Sequence, residues 1–242
     1  KVGDALFEGN LLHDQFSYSK LNTYSKCHYK AYLRYVEGRR EFGAYLLKGR
    51  AVHKGQEEDN RAKLEGRRLP DQAVLDRAVS ELEAGSKESG IAVDKDAFAG
   101  EHAEQLEKYR ESGEREKIRP VEGSVEAPFE VQLQVEGEKA ILLGFVDTLS
   151  YGGEGTEASM IHPVDYKAVQ RPVSTKDVDN SMQFEMYRWG SKPLRQPGQG
   201  GAEGQAQGEA SAAVKCVSFV GAMSGKRRQK PNTPGGPQNT LK

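Results

Sequence analysis

The chain has 242 residues, a formal net charge of −1, 36% hydrophobic and 29% charged residues. That length suits one domain with a real core, and that composition suits a polar, soluble surface. The near-neutral charge excludes a protein that coats nucleic acid over its whole surface, and no apolar run reaches membrane-spanning length. The two cysteines, Cys27 and Cys216, lie far apart. They form neither a disulfide framework nor a zinc pattern, which suits a reducing cytoplasm. The chain starts at Lys1 rather than Met, with no secretory leader pattern, so residues can precede it.

Residues 1–16 have no clear periodicity and read as an arm. Ser17 or Ser19 can cap a helix running to about Val36. On its wheel Leu21, Tyr29, Tyr32, Leu33 and Val36 share one side, and Lys26, Lys30 and Arg34 recur every fourth residue on another. After a break at Gly38–Gly43 a second helix starts near Ala44, with Leu46, Val52 and His53 inward and Glu57 one turn beyond His53. Two further helices are predicted at 71–85, capped by Asp71, and at about 94–112. The second is mostly charge and reads as solvent-exposed, with no partner for His102.

Pro120 ends the helical region. Phe129, Val131, Leu133 and Val135 alternate as in a half-exposed strand, and Gly137 turns the chain into the next. That strand, Ala140–Tyr151, carries Asp147. After a glycine break at Gly152, Gly153 and Gly155, a third strand carries Asp165, Tyr166 and Lys167. Side chains alternate along a strand, so Asp165 and Lys167 share a face and Tyr166 points away. Two carboxylates can hold hard divalent cations that clamp a phosphodiester and activate water, and a lysine can neutralise charge on the phosphate. A helix over about 175–190 follows, with Met182, Met186 and Trp189 inward and Gln183 and Tyr187 facing together. Residues 191–213 are a low-complexity loop, Val214–Ala222 a last strand, and 223–242 a basic, disordered tail.

The order of motifs is a basic first helix, Gly49-x-x-x-His53, Gly144-Phe-Val-Asp147, Val164-Asp165-Tyr166-Lys167 and Gln183-x-x-x-Tyr187. This order resembles the PD-(D/E)XK nuclease superfamily, and within it the RecB-like exonuclease branch, which includes CRISPR-associated and phage nucleases. Ser19-x-Leu-x-x-Tyr-x-x-Cys27 resembles that branch too. The resemblance covers residues 17–222: a helical part at 17–119 and a sheet core at 120–222. It implies an α/β, restriction-endonuclease-like core, a small central mixed β-sheet flanked by helices with a helical region before it. It implies Asp147, Asp165, the Tyr166 carbonyl and His53 as metal ligands for Mg²⁺ or Mn²⁺, and Asp147, Asp165 and Lys167 as catalytic. It further implies that Gln183 and Tyr187 contact DNA or brace the site, and that Glu57 holds His53 in its tautomer. Members with an iron–sulfur cluster use four cysteines; two cannot hold one, and none is expected. The usual proline after the first of those cysteines is His28 here.

The implied activity is metal-dependent hydrolysis of DNA, by an exonuclease acting on ends with single-stranded character. Lys26, Lys30 and Arg34 would follow the backbone, and Tyr18 and Tyr24 would offer rings to bases. The alternatives are a structure-specific endonuclease and a non-catalytic DNA-binding or assembly subunit. Implied partners are DNA, other copies of the chain, and recombination or repair proteins.

Overall fold

The computed structural model describes residues 15–39, 43–152, 161–169, 173–194 and 215–220. Most of the arm and of the low-complexity loop, the glycine break after Gly152 and the basic tail lie outside them.

The predicted first helix is two. Helix α1 (Tyr18–Lys26) is capped by Ser17, whose hydroxyl accepts the Lys20 N–H. Helix α2 (His28–Tyr35) follows a break at Cys27, which is extended at φ −163° and both ends α1 and caps α2. Lys26 therefore sits on a different helix from Lys30 and Arg34. Tyr29 is exposed, and Ala31 takes the buried place in α2.

Helices α3 (Ala44–Leu64), α4 (Asp71–Ser89) and α5 (Lys95–Glu111) form the helical layer. In α3 the inward leucine is Leu47, not Leu46. It packs with Ala51 and Val52 against Val74, Ala78 and Leu82 of α4. Asp71 is the first residue of α4, after Pro70. Instead of capping, it binds Arg115 at 2.5 Å, in the short helix α6 (Glu114–Lys117). Helix α5 is not a solvent-exposed helix: Phe98, His102, Leu106 and Tyr109 are buried along one face. His102 has a partner one turn on, Gln105, at 3.2 Å. The charges of α5 fill the other face, so the composition hides a narrow apolar stripe.

The strands form two small sheets of mixed direction among the described residues. β1 (Gln15–Phe16), the end of the expected arm, pairs parallel with β4 (Glu138–Val146), and β4 pairs antiparallel with β3 (Ala127–Val135). Val135 opposite Glu138 leaves a two-residue turn, and Glu136 and Gly137 both take positive φ, as a type I′ hairpin requires. The second sheet has the order β2 (Arg119–Pro120), β5 (Thr148–Tyr151), β6 (Ile161–Val169), β7 (Lys215–Val220), with β6 and β7 parallel. The predicted strand Ala140–Tyr151 is thus split. The chain changes sheets at Asp147.

Helix α7 (Thr175–Asp179) has a capping box between Ser174 and Asp177. Helix α8 (Met182–Leu194) runs into the expected loop. Its buried side is Phe184, Tyr187, Gly190 and Ser191, whereas Met182 and Trp189, expected inward, are exposed. Phe129 of β3 fits between Gly144 of β4 and Gly190 of α8. A Cβ at either glycine would fall within 2.4 Å of its ring. Gly144 is therefore required by packing. One core joins α3, α4 and α5 to Val164 and Tyr166 of β6, and a second joins α8 to β3 and β4.

Candidate active site

On β6, Val164 and Tyr166 enter the helical core, and Asp165 and Lys167 take the other face. Asp147 reaches the same strand from the junction of β4 and β5. The β5–β6 register ends at Thr148 opposite Val164. The Tyr166 N–H beyond it needs a partner, and Asp147 Oδ2 accepts it at 2.8 Å. Asp147 is thus tied to the strand that carries Asp165 and Lys167.

Helix α3 closes a third side. His53 Nδ1 lies 3.2 Å from Asp147 Oδ2. Two turns on, Asn60 donates from Nδ2 to the Tyr166 hydroxyl at 3.0 Å. Tyr166 is therefore held at its N–H by Asp147 and at its hydroxyl by the helix bearing His53.

Helix α8 supplies the fourth side. Lys167 Nζ is 2.9 Å from Asp165 Oδ1 and donates to Gln183 Oε1 at 3.1 Å. The Gln183 amide then donates to Tyr187 Oη at 2.7 Å and to Asp165 Oδ1 at 3.3 Å. Gln183 and Tyr187, one turn apart, thus brace the lysine and the carboxylate.

The electrostatics are those of crowded acids. Burial, then the charge of Asp147, pushes the Asp165 carboxyl up to about 6, against the pull of Lys167. Burial also opposes charge on Asp147. The charge and hydrogen bond of His53, with the Tyr166 N–H, outweigh it and hold Asp147 below the usual carboxylate range. For His53, burial disfavours protonation but Asp147 outweighs it, so its pKa is raised.

A third acid belongs here that the motifs did not single out. Glu126 precedes β3 at φ 52°, and its N–H donates to the Asp147 carbonyl at 2.9 Å. Ligand atoms of His53, Glu126 and Asp147 all lie within 4.8 Å of one another. Burial, then Asp147, raises Glu126 to about 7. The one local signal was an acid between buried Val125 and Ala127 at the start of a strand. Carboxylate oxygens and an imidazole, gathered where like charges repel, fit a divalent cation.

Other expected residues lie elsewhere. Glu57 does not hold His53: it takes Lys54 on Oε2 at 2.6 Å and Arg61 on Oε1 at 3.0 Å, because both sit one turn away on its own helix. Lys26, Lys30 and Arg34 are exposed on α1 and α2. The Arg34 guanidinium lies 5.4 Å from the Tyr35 ring centre, and Tyr24 stacks on His28 at 4.1 Å. Cys27 is an exposed free thiol, and Cys216 stands opposite Asp165 in the β6–β7 register.

The family model described as the PD-(D/E)XK nuclease superfamily matches residues 15–229. No curated protein matches the chain significantly.

Proposed function

Because the chain belongs to the PD-(D/E)XK nuclease superfamily, whose members hydrolyse phosphodiester bonds with divalent metals, we propose that it is a DNA exonuclease of the RecB-like branch. Its substrate is a DNA end with single-stranded character. One observation carries the reading: Asp147 from the β4–β5 junction and His53 from α3 meet Asp165 and Lys167 of β6. The order of the motifs supports the branch. The presence of all three catalytic side chains disfavours a non-catalytic subunit.

Asp147, Asp165 and His53, with the Tyr166 carbonyl, are the groups that would hold Mg²⁺ or Mn²⁺, and Glu126 joins them. The imidazole favours Mn²⁺ over a cation that prefers oxygen alone. A cation there supplies a nucleophilic water of lowered pKa and neutralises charge on the phosphodiester. Lys167 is held by Asp165 and Gln183 with its ammonium beside the carboxylates. From there it orients water or meets charge developing on phosphate. Gln183 keeps the lysine in that place and Tyr187 keeps Gln183. His53, facing Asp147 through Nδ1, leaves Nε2 to the cation or to solvent.

The test is incubation of end-labelled linear DNA and closed circular DNA with Mg²⁺, Mn²⁺ or EDTA. Cleavage of linear DNA only, with either metal and not with EDTA, is expected; cutting of circles identifies an endonuclease. Asp147→Ala, Asp165→Ala and Lys167→Ala should each slow cleavage at least about a hundredfold. Near-parental activity of Asp165→Ala would refute the site.

A further inference from the structure

A cavity of about 350 Å³ lies beside the catalytic cluster, between the first turn of α1, the end of β4 and α8. Tyr18, Phe145 and Met186 line it, with Ser17 and Ser19 at one side. Gln183 lines it too, and Gln183 is the residue that binds Lys167 and Asp165. An occupant therefore lies next to the group on which those residues act.

The lining selects the occupant. None of the lining residues is charged, so a phosphate would find no counter-charge there. A flat, neutral group with hydrogen-bonding edges suits aromatic walls flanked by hydroxyls. Phe145 is 61% exposed, an unusual degree for phenylalanine and a ring free to stack. The Gln183 amide is committed to its catalytic partners; the Ser17 and Ser19 hydroxyls, 3.1 Å apart and with Ser17 already accepting the Lys20 N–H, keep one hydroxyl proton between them for the polar edge. A base paired within a duplex has its faces stacked and its Watson–Crick edge occupied, with only its groove edges exposed.

We propose that this cavity holds one unpaired nucleobase of the strand being cut, stacked on Phe145. This deepens the nuclease reading above and rests on it. An aromatic base stack is sequence-tolerant, so the subsite demands an unpaired nucleotide and reads no particular base.

The test walks a single 2-aminopurine along a single-stranded oligonucleotide bound to the parent protein in EDTA. One position should be quenched above its neighbours, and Phe145→Ala should abolish that difference. The exposed ring can be removed without opening the core. An oligonucleotide abasic at that position should bind the parent about tenfold more weakly, and Phe145→Ala should bind intact and abasic strands alike. DNA binding that is uniform along the strand, or a base preference that survives Phe145→Ala, overturns the proposal. If DNA is bound and cleaved in that case, only the subsite falls. No binding and no cleavage of any DNA by the parent overturns the nuclease reading and the subsite together.

Discussion

Asp165 has no exposed surface, yet it sits between an acid and a base. Its carboxyl is raised from 3.8 to about 6. The folded state therefore keeps a proton that the unfolded chain has lost, and the group destabilises the metal-free fold as pH rises from about 4 to 6. Its contribution is fully present below the unfolded pKa and gone above the folded one. Asp165→Asn keeps an acceptor for Lys167 and carries no charge. In EDTA the Asn variant should melt above the parent at pH 7.5, with the gap closing by pH 4. Addition of Mn²⁺ should stabilise the parent more than the variant. A gap independent of pH in thermal melts would show that the carboxyl is not raised. The two motif glycines make a second contrast. A Cβ on Gly144 meets the Phe129 ring, whereas one on Gly49 meets nothing within 4 Å. Gly144→Ala should destabilise by about 1–3 kcal/mol. Gly49→Ala should stabilise the helix by about 0.5–1 kcal/mol. Denaturant unfolding of both checks the pair.

Helix α3 is the element that joins core to site. Its Leu47, Ala51 and Val52 side enters the helical core, and His53 and Asn60 reach β6. Its far end is fixed by a buried ion cluster. Arg115, 4% exposed in its side chain, binds Asp59 of α3 through two nitrogens and Asp71 of α4 through a third. Lys63 adds a second cation at 3.1 Å from Asp59. Removal of Arg115 leaves Asp59 buried beside Lys63 alone. Arg115→Ala should then destabilise by about 3 kcal/mol or more. An Asp59→Asn change in that background should recover part of the loss in the same denaturant titrations. An equal, additive cost for the two changes would mean that the cluster does not act as a unit.

At the scale of the molecule, the site lies where the chain passes from one sheet to the other. The junction at Asp147 brings β4, β5 and the Glu126 turn to β6, and the two helical faces close on it from α3 and α8. The basic residues Lys26, Lys30 and Arg34 lie outside this junction, on two short helices. If they follow a DNA strand, replacing all three with alanine should weaken binding. The slope of log K against log salt should then fall by about 0.7 per lost contact on single strands. The measurement is affinity for single-stranded and overhang DNA in EDTA over several salt concentrations. An unchanged slope with an intact fold removes this surface from binding.

The period of two along β6, the turn at Gly137 and the apolar runs of the strands are local properties, and local sequence determined them. The pairing of Asp165 with Lys167 on one face, and of Gln183 with Tyr187 on one helix side, follows from side-chain periodicity alone. The tertiary structure decided the rest. Asp147 looked like a residue within a strand, but it is the point where the chain changes sheets, and its carboxylate is placed by the Tyr166 N–H that it accepts. Helix α5 looked solvated because charge dominates its composition, and the core neighbours of Phe98, Leu106 and Tyr109 come from elsewhere in the chain. Glu57 was within reach of His53 by helical spacing, yet Lys54 and Arg61 were equally near and carry the opposite charge. Glu126 belonged to none of the motifs. Its carboxylate joins the cluster because a positive-φ residue and a long-range backbone hydrogen bond aim it there. Contacts between residues far apart in the chain depend on packing and register, which no window of neighbouring residues encodes.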